Sequence, residues 1–213
     1  MARTAPTDFE CEAWDCGLRH VVGLDEVGCG PLAGPVVAGA VILHPRAPPI
    51  DGVFDSKALS ARQRETAALE IRGRVFAWAL GAASTREIER YNIRRATILA
   101  MRRAIDRLPV EPDRLLVDGR PIPELGEHKA IVKGDQKSLS IACASILAKV
   151  VRDRLMRSLG ARYPGYGWES NKGYATGSHL AAIRNLGPTP HHRSTWAPIA
   201  QRELALEESV RKM

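Results

Sequence analysis

The amino-acid sequence predicts an α/β fold in which a mixed central sheet is flanked by helices and followed by a C-terminal helical extension. Three apolar, strand-like segments lie in the first part of the chain. Beyond them, strand-like and helical patterns alternate, which is typical of parallel strand pairs. The 213 residues are expected to divide into a lead-in over 1–19, a main domain over 20–198 and a terminal helix over 199–213.

The first two strands are predicted on either side of a turn that is rich in glycine and proline. One strand covers Val21–Glu26 and the next covers Pro35–Leu43, and the short turn between them favours an antiparallel pair. Before them, residues 1–19 show no clean period and are interpreted as a loose lead-in or a short helix. After them, three prolines make 44–52 a loop.

A helix and a third strand complete the first half of the predicted sheet. Ser60 is a suitable N-cap for a helix over Ala61–Gly73, which is rich in residues of high helix propensity. A weak alternation of apolar and polar residues then predicts a strand over Val75–Ala83.

The second half of the chain alternates between helices and strands. Helical patterns cover Thr85–Ile88, Asn92–Leu108, Ser138–Leu159, Thr176–Asn185 and, at the end of the chain, Gln201–Arg211. Short apolar strands are predicted over Arg114–Asp118 and Lys129–Lys133. The segments Pro164–Gly173 and Gly187–Pro198 are predicted to be loops.

The composition excludes several classes of protein. No apolar run approaches the roughly 20 residues that a membrane-spanning helix needs. The acidic N-terminus lacks the pattern of a secretory signal, so a cytoplasmic protein without membrane contact is expected. The four cysteines, at positions 11, 16, 29 and 143, form no CxxC pair, which argues against a zinc site or a disulfide framework. The net charge of +7 suits a polyanionic partner such as nucleic acid.

Acidic residues stand at the ends of three predicted strands. Asp25 and Glu26 end the first strand, Asp118 ends another, and Asp135 follows the strand over Lys129–Lys133. Glycine lies close to each of them, so the backbone can approach a ligand there. If these carboxylates meet in the fold, they cannot all stay ionised without cations, and oxygen ligands suit Mg²⁺ or Mn²⁺. Two such ions about 3.5–4 Å apart are used for phosphodiester chemistry.

Each acid also has a simpler structural interpretation. Adjacent strand residues point to opposite faces, so Asp25 and Glu26 share one site only if the strand twists or breaks there. Asp118 precedes a glycine, and its role could be the purely structural one of forming a turn. Asp135 could have a purely structural role, because the dipole of the following helix favours a negative charge at its N-terminus. Asp153 competes with Asp135, but it lies between two arginines and an exposed ion pair would explain it, so Asp135 is preferred.

Seven short segments together form a pattern that would rarely arise by chance. They are Asp25–Val36, Asp55–Lys57, Val117–Gly119, Lys133–Ser138, Ala144–Val150, Asn171–Tyr174 and His192–Arg193. Together they resemble bacterial ribonuclease HII, and the resemblance covers Val21 to Pro198. It implies an RNase H-like fold and an endonuclease that uses two Mg²⁺ or Mn²⁺ ions. The implied partners are RNA–DNA hybrids, whose RNA strand is cleaved, and duplex DNA, which is incised 5′ of a single embedded ribonucleotide. The implied products carry 3′-OH and 5′-phosphate ends.

The resemblance also assigns roles to individual residues. By motif position, the metal-binding and catalytic acids are Asp25, Glu26, Asp118 and Asp135. The turn Gly28-Cys29-Gly30 would contact the ribose 2′-OH through backbone groups, which distinguishes RNA from DNA. Tyr174 would pack at the RNA–DNA junction.

Further positions are implied to bind substrate. Phosphates would be held by Lys57, Lys137, Lys172 and Arg193, and Ser138 belongs to the same substrate-binding set. His192 could contact a phosphate or could be a structural histidine. Tyr166 and Trp168 could stack on sugars or bases, or could simply anchor their loop. The protein is expected to act as a monomer.

Two departures from the family pattern each remove a basic residue. Cys29 stands where the family usually has arginine, and Ser194-Thr195-Trp196 replaces a more usual Arg-Ser-Phe. Both changes predict weaker substrate binding and unchanged chemistry, because Gly28 and Gly30 keep the backbone contact.

Two other functions explain less of the sequence. A non-catalytic nucleic-acid-binding module would account for the basic charge but not for the four acids. A nucleotide-cofactor enzyme would use the glycine turn, but Gly28-x-Gly30-x-x-x-Gly34 misses the dinucleotide fingerprint by one residue. Pro31 and Pro35 would also disrupt the helix start that cradles a pyrophosphate.

Overall fold

Five strands form one mixed sheet in the spatial order β3-β2-β1-β4-β5. They are β1 (Val21–Val27), β2 (Val36–Ile42), β3 (Ala77–Ala83), β4 (Arg114–Asp118) and β5 (Lys129–Ile131). Strand β1 pairs antiparallel with β2 and parallel with β4, and β4 pairs parallel with β5. This computed structural model describes residues 4–45, 47–197 and 199–200. The predicted mixture of antiparallel and parallel pairs is confirmed.

Helices precede, connect and follow the strands. They are α1 (Asp8–Asp15), α2 (Ala61–Arg74), α3 (Thr85–Ile105), α4 (Leu139–Arg162), α5 (Trp168–Asn171) and α6 (Gly177–Leu186). Two single turns of 3₁₀ helix cover Pro123–Leu125 and Gly134–Gln136. As predicted, Ser60 caps α2, and its side chain accepts a hydrogen bond from the backbone N–H of Gln63.

Helix α5 lies within a segment that the sequence predicts as a loop. It is flanked by Gly167 and Lys172, whose φ angles of 68° and 53° are left-handed. A single helical turn between two such residues is too short to show an apolar period, so pattern alone does not detect it.

Helix α3 consists of two helical segments that meet at Asn92. The φ angle of Asn92 is 68°, in the left-handed region that asparagine tolerates better than most residues. Its side-chain oxygen accepts a hydrogen bond from the backbone N–H of Arg95 at 3.1 Å, which caps the second segment. The predicted break between two helical stretches is therefore a kink.

The longest helix, α4, approaches the sheet closely because β1 has a glycine at the contact. A Cβ atom on Gly23 would lie 2.3 Å from the carbonyl carbon of Ser140, so no other residue fits there without a backbone shift. The main apolar cluster joins β2, α2 and α4 through Val41, Ile71 and Leu147.

The chain forms two compact units. The first consists of the described residues up to Val27 together with Val37–Ala82 and Thr97–Val151. The second consists of Gly28–Val36, Ala83–Ala96 and the described residues from Arg152 onward. The second unit has its own apolar cluster, which includes Leu32, Met156, Trp168, Ile183 and Ile199.

The end of the chain is only partly described. The terminal helix predicted over Gln201–Arg211 lies outside the described residues, so its prediction remains open. Within the described ranges, no helix is both long enough and apolar enough to cross a membrane.

Candidate active site

The register of the sheet places two of the predicted acids side by side. Strands β1 and β4 run parallel, and Leu24 pairs with Val117. Asp25 and Asp118 are the next residues of the two strands, so both stand at the same edge of the sheet. Equivalent positions on neighbouring parallel strands point to the same face. The strand that carries Asp25 thus lies beside the strand that carries Asp118, as the carboxylate hypothesis requires.

Asp25 is a buried carboxylate with other acids as neighbours. Only 7% of the residue is exposed. Burial raises the pKa of Asp25 well above its usual range, and the charges of Glu26 and Asp118 raise it further. Hydrogen bonds from Ser145 and from the backbone N–H of Glu26, which lies 2.7 Å from Oδ1, oppose this shift. A bound cation would stabilise the ionised form of such a group most effectively.

Glu26 remains part of β1, which continues to Val27. The strand does not end between the two acids, and alternation along a strand places adjacent side chains on opposite faces. The charge of Glu26 nevertheless raises the pKa of Asp25, so the two carboxylates interact. Shared ligation of one ion by both residues stays a prediction.

A turn of 3₁₀ helix brings Asp135 toward Asp118. The backbone N–H of Gly134 donates a hydrogen bond to Oδ1 of Asp118 at 2.6 Å. Asp135 is buried, and burial is the largest cause that raises its pKa, followed by the charges of Asp55 and Asp118. Burial lowers the pKa of Arg152, and the charge of the competing candidate, Asp153, partly offsets this shift. Asp153 therefore interacts with Arg152, but it is buried and not in the exposed ion pair that the sequence predicts.

The chemistry of this donor set fits a hard divalent cation. Carboxylate oxygens are the ligands that Mg²⁺ and Mn²⁺ prefer. In the part of the chain that the structure describes, no three His, Cys, Asp or Glu side chains are already gathered closely enough to hold an ion. The acids interact in pairs: Asp25 with Glu26, Asp25 with Asp118, and Asp118 with Asp135. The four-acid ligand set therefore stays a prediction, supported by these pairs and by the burial of Asp25.

Asp55 is an acid near this site that the sequence argument missed. Its Oδ2 accepts a hydrogen bond from Nε2 of Gln136 at 3.2 Å. Its charge raises the pKa of Asp135, whereas the charge of Lys57 lowers it. The motif Asp55–Lys57 itself was the only sequence signal that could have pointed to Asp55.

A pair of buried serines connects the same motif to Asp25. The hydroxyl oxygens of Ser56 and Ser145 lie 2.9 Å apart. Ser145, in α4, also hydrogen-bonds the carboxylate of Asp25. Ser145 therefore links the loop that contains Lys57 to a predicted metal ligand, and nothing in its spacing marks it for this role.

The turn Gly28-Cys29-Gly30 and Tyr174 form one surface in the second unit. The φ angle of Gly28 is 106°, and a Cβ atom there would lie 2.3 Å from Nε of Arg152, so glycine is required. Cε1 of Tyr174 lies 3.8 Å from the position that a Cβ atom on Gly30 would take. Gly30 is exposed, and Tyr174 is 44% exposed. The two elements expected to contact the ribose and the junction are thus brought together.

Arg193 does not occupy the position expected of a phosphate ligand. Its guanidinium is fully buried. Nη1 donates to the carbonyl oxygen of Cys29 at 2.8 Å, and Nη2 donates to those of Gly28 at 2.5 Å and Gly34 at 2.9 Å. Burial, followed by the charge of Arg152, lowers the pKa of Arg193 to about 10. The phosphate contact of Arg193 stays a prediction, and in this structure its guanidinium supports the glycine turn from the buried side.

Arg152 has a similar role that the sequence argument missed. It lies in α4, is fully buried, and donates to the carbonyl oxygens of Ala33, Pro35 and Lys172 at 3.1, 3.0 and 3.1 Å. It therefore connects the segment after the glycine turn to the segment before Tyr174. A charged residue in a helical pattern gives no sequence signal that it is buried.

Two further residues of the expected substrate-binding set are buried structural groups. His192 is 2% exposed, and its Nδ1 accepts a hydrogen bond from the backbone N–H of Thr189 at 2.9 Å. This favours the structural interpretation of His192. Ser138 is also buried, and its hydroxyl donates to Oε1 of Glu10 at 2.6 Å. The substrate contact of Ser138 stays a prediction, and its side chain joins the lead-in to α4.

The lysines of the set differ in their surroundings. Lys57 and Lys137 are exposed. Lys172 is half-buried, and its Nζ donates to the carbonyl oxygen of Glu169. Phosphate contacts by these three lysines stay predictions.

Tyr166 and Trp168 anchor their segment. The hydroxyl of Tyr166 donates to the carbonyl oxygen of Gly187 at 2.6 Å, and the ring is buried. Trp168 is fully buried, and its indole N–H donates to Nε2 of His179 at 3.0 Å. Neither ring is available for stacking on a base, so the anchoring interpretation holds.

Known proteins with similar sequences share one family description. The chain matches the family described as Ribonuclease HII over residues 22–199. It is 50% identical over 195 residues to the Ribonuclease HII of Myxococcus xanthus (strain DK1622), covering 91% of this chain and 66% of that protein. It is 52% identical over 182 residues to the Ribonuclease HII of Nitrosococcus oceani, covering 85% of this chain and 90% of that protein.

Solved structures share the fold. The ribonuclease H2 from Pyrococcus horikoshii OT3 is 25% identical, with a TM-score of 0.71, and the match covers 88% of this chain and 99% of that one. Bst-RNase HIII, solved in complex with Mn²⁺, is 20% identical, with a TM-score of 0.61, and the match covers 89% of this chain and 70% of that one. The predicted RNase H-like fold is confirmed.

Proposed function

The chain belongs to the ribonuclease HII family of ribonuclease H hydrolases, and from this premise we propose that it is a metal-dependent endonuclease. Its substrates are RNA–DNA hybrids, whose RNA strand it cleaves, and duplex DNA with a single embedded ribonucleotide, which it incises on the 5′ side. Monomeric action and a cytoplasmic location stay predictions.

The observation that carries this proposal is the pair formed by Asp25 and Asp118, which stand side by side on two parallel strands. A buried carboxylate whose pKa is raised by burial and by neighbouring acids is costly to keep in a fold. This cost in stability is explained if the carboxylates bind divalent cations. Phosphodiester hydrolysis by two metal ions requires such a site.

In this mechanism, Asp25, Glu26, Asp118 and Asp135 would hold two Mg²⁺ or Mn²⁺ ions. When bound, such ions supply a water of lowered pKa as nucleophile and stabilise charge on the leaving 3′ oxygen, so the products carry 3′-OH and 5′-phosphate ends. The protein orients the ligands: the ladder between β1 and β4 aligns Asp25 with Asp118, and the N–H of Gly134 fixes Oδ1 of Asp118.

Recognition of the ribonucleotide is assigned to the second unit. The glycine turn would offer backbone groups to the 2′-OH, with Arg193 holding the carbonyl oxygens on its buried side. The exposed ring of Tyr174 beside Gly30 would pack at the RNA–DNA junction. With Cys29 in place of arginine, we expect weaker substrate binding and unchanged chemistry.

The proposal is tested by cleavage of matched duplexes that carry zero, one or four ribonucleotides, in Mg²⁺ and in Mn²⁺, with products mapped to the nucleotide. We expect no cut in the all-DNA duplex, a single incision 5′ of the lone ribonucleotide, and cuts within the four-ribonucleotide tract. An intact single-ribonucleotide duplex would contradict the proposed incision, and two intact ribonucleotide-containing duplexes would contradict the proposed activity altogether.

The ligand set is tested by Asp118→Asn. Asparagine keeps an oxygen for the hydrogen bond from Gly134 but removes the charge that would hold a cation, so we expect cleavage to be abolished with the circular dichroism spectrum unchanged. Asp106→Asn makes the same chemical change at an exposed position of the first unit and should cleave like the wild type. Near-full activity of Asp118→Asn would rule out the ligand set.

A further inference from the structure

Three buried side chains form a hydrogen-bonded chain beneath Tyr174. Trp168 and His179 are fully buried, and His192 is 2% exposed. Nε2 of His179 lies 3.0 Å from the indole nitrogen of Trp168 and 3.1 Å from Nε2 of His192. Nδ1 of His179 lies 2.8 Å from the carbonyl oxygen of Tyr174. His179 is therefore the member of this hydrogen-bonded chain that bonds Tyr174.

The partners determine which nitrogen of each imidazole carries its proton. The carbonyl oxygen of Tyr174 can only accept, so Nδ1 of His179 carries a hydrogen. The backbone N–H of Thr189 donates to Nδ1 of His192 at 2.9 Å, so that nitrogen carries none. With both rings neutral, Nε2–H of His192 donates to Nε2 of His179, which also accepts from the indole N–H of Trp168.

The surroundings keep both rings neutral. Burial lowers the pKa of His179, and burial together with the neighbouring His179 lowers the pKa of His192 to about 4. A proton added to His179 would go to Nε2, where it would face the N–H groups of Trp168 and His192. A proton added to His192 would go to Nδ1, where it would face the backbone N–H of Thr189. The chain of hydrogen bonds therefore has one direction, and the Nδ1–H of His179 always points at Tyr174.

Two backbone hydrogen bonds also hold Tyr174. Its N–H donates to the carbonyl oxygen of Asn171 at 3.0 Å, and its carbonyl oxygen also accepts from the N–H of Thr176 at 2.8 Å. Its ring is 44% exposed and lies beside Gly30. The position of the ring therefore depends on the backbone. Arg152 holds this backbone at Lys172, and His179 holds it at Tyr174 itself.

We propose that His179 is a positioning residue that sets the ring of Tyr174 against the glycine turn, with His192 and Trp168 fixing the tautomer and orientation of its imidazole. The inference rests on the proposed function, because it assigns its effect to the contact of Tyr174 with the RNA–DNA junction. His179 itself touches no reacting atom.

A matched pair of variants separates positioning from packing. In His179→Asn, the side-chain amide nitrogen takes the place of Nδ1 and can still donate to Tyr174. In His179→Gln, the amide takes the place of Nε2, so the chain keeps an acceptor for Trp168 and loses the donor to Tyr174. Both variants remove the ring, and urea unfolding measures how much stability each loses.

The readout is kcat/KM for a duplex with a single ribonucleotide. We expect His179→Gln to lose about tenfold, the value of one buried hydrogen bond, and His179→Asn to recover most of that loss. In the Tyr174→Ala background, His179→Gln should cost nothing further, because the group that it positions is gone. Equal losses in the Asn and Gln variants, an undiminished loss in the Tyr174→Ala background, or full activity of Tyr174→Ala would each overturn the proposal.

A second measurement tests the hydrogen-bond chain without activity or substitution. Long-range ¹⁵N–¹H correlation spectra of the wild-type protein at neutral pH should show His179 as the Nδ1–H tautomer and His192 as the Nε2–H tautomer. An Nε2–H tautomer at His179 would overturn the proposal even if the variants fail to fold. Absence of ribonucleotide cleavage by a wild-type protein with the expected tautomers would instead contradict the proposed function.

Discussion

Asp25 lies where its surroundings disfavour a charged carboxylate. Burial and two neighbouring acids raise its pKa in the folded state. A carboxyl group of this kind contributes stability below its unfolded pKa of about 3.9, and that contribution is lost as the pH rises through the raised folded pKa. Asparagine has the same shape and no charge. In EDTA at neutral pH, we expect Asp25→Asn to raise the free energy of unfolding by about 1 kcal/mol and to abolish cleavage.

Urea unfolding in EDTA and in Mg²⁺ checks this prediction. Mg²⁺ should raise the midpoint of the wild type and leave that of Asp25→Asn unchanged, because an ion that binds only the folded state stabilises it. Asp106→Asn, the exposed control, should behave like the wild type in both conditions. An Asp25→Asn variant that is less stable than the wild type in EDTA would show that the carboxylate is not under electrostatic strain.

The buried charge of Arg193, unlike that of Asp25, stabilises the fold, because its guanidinium supports a loop. Its guanidinium bonds the carbonyl oxygens of Gly28, Cys29 and Gly34. Glutamine is too short to reach them, so Arg193→Gln would leave buried oxygens unpaired. We expect the free energy of unfolding to fall by about 2–4 kcal/mol and KM for ribonucleotide-containing duplexes to rise.

The matched control for Arg193 is Arg184→Gln, which removes an exposed arginine from the second unit. It should unfold near the wild-type urea midpoint and keep the wild-type KM. If Arg193→Gln kept the wild-type midpoint but raised KM, Arg193 would act on the substrate rather than on the turn, and the phosphate contact expected from the sequence would be supported.

At the scale of secondary-structure elements, α1 and α4 are joined by a buried carboxylate. Oε1 of Glu10 accepts hydrogen bonds from the hydroxyls of Ser138 and Ser140, both at 2.6 Å, and from the backbone N–H of Ser140 at 2.9 Å. The N-terminus of a long helix also favours negative charge. We expect Glu10→Ala to lower the free energy of unfolding by about 1–3 kcal/mol.

Glu12 provides the control for Glu10 within the same helix. Its exposed carboxylate pairs with Lys129 at 2.6 Å, and an ion pair in solvent adds little stability. Thermal unfolding should therefore distinguish the two alanine variants clearly. Equal midpoints for Glu10→Ala and Glu12→Ala would mean that Glu10 does not fasten α1 to α4. The interpretation of this segment as a loose lead-in would then be favoured.

The elements that the sequence predicts well are those with a long or repeated local signal. The apolar run after Val21 and the helical pattern after Ser138 are each extended enough to be recognised, and the Gly/Pro turn sets the sense of the first strand pair. Helix α5 and the docking of α1 were not predicted, because one has a single turn and the other depends on partners more than 120 residues away.

The same reasoning separates the predicted from the unpredicted parts of the site. Asp25 and Asp118 could be predicted together because acids at the ends of parallel strands meet at one edge of a sheet. The roles of Arg152 and Arg193 could not, because a basic residue is expected at the surface until its buried acceptors are known. Those acceptors are backbone carbonyl oxygens, which every sequence contains.

At the scale of the whole molecule, stability should depend on pH through the two buried histidines. Burial lowers the pKa of His179 and brings that of His192 to about 4 in the folded state, whereas an unfolded histidine titrates near 6.5. Between about pH 6.5 and 4, the unfolded chain binds protons that the folded chain does not, so stability falls as the pH falls. Asp25 and Asp135, whose pKa values are raised, act in the opposite direction.

Because these contributions oppose each other, a comparison of pH profiles is needed to isolate the histidine contribution. His192→Gln keeps an N–H donor for His179 but cannot take up a proton in either state. Between pH 7.5 and 5.5, we expect the wild type to lose about 1 kcal/mol more unfolding free energy than His192→Gln loses over the same interval. Urea denaturation at the two pH values measures both changes, so any constant destabilisation by the substitution cancels.

His44→Gln, at an exposed histidine, should reproduce the wild-type profile. Parallel profiles for the wild type and His192→Gln would show that His192 is protonated in the folded protein as readily as in the unfolded chain, which the hydrogen bond from Thr189 to its Nδ1 does not allow.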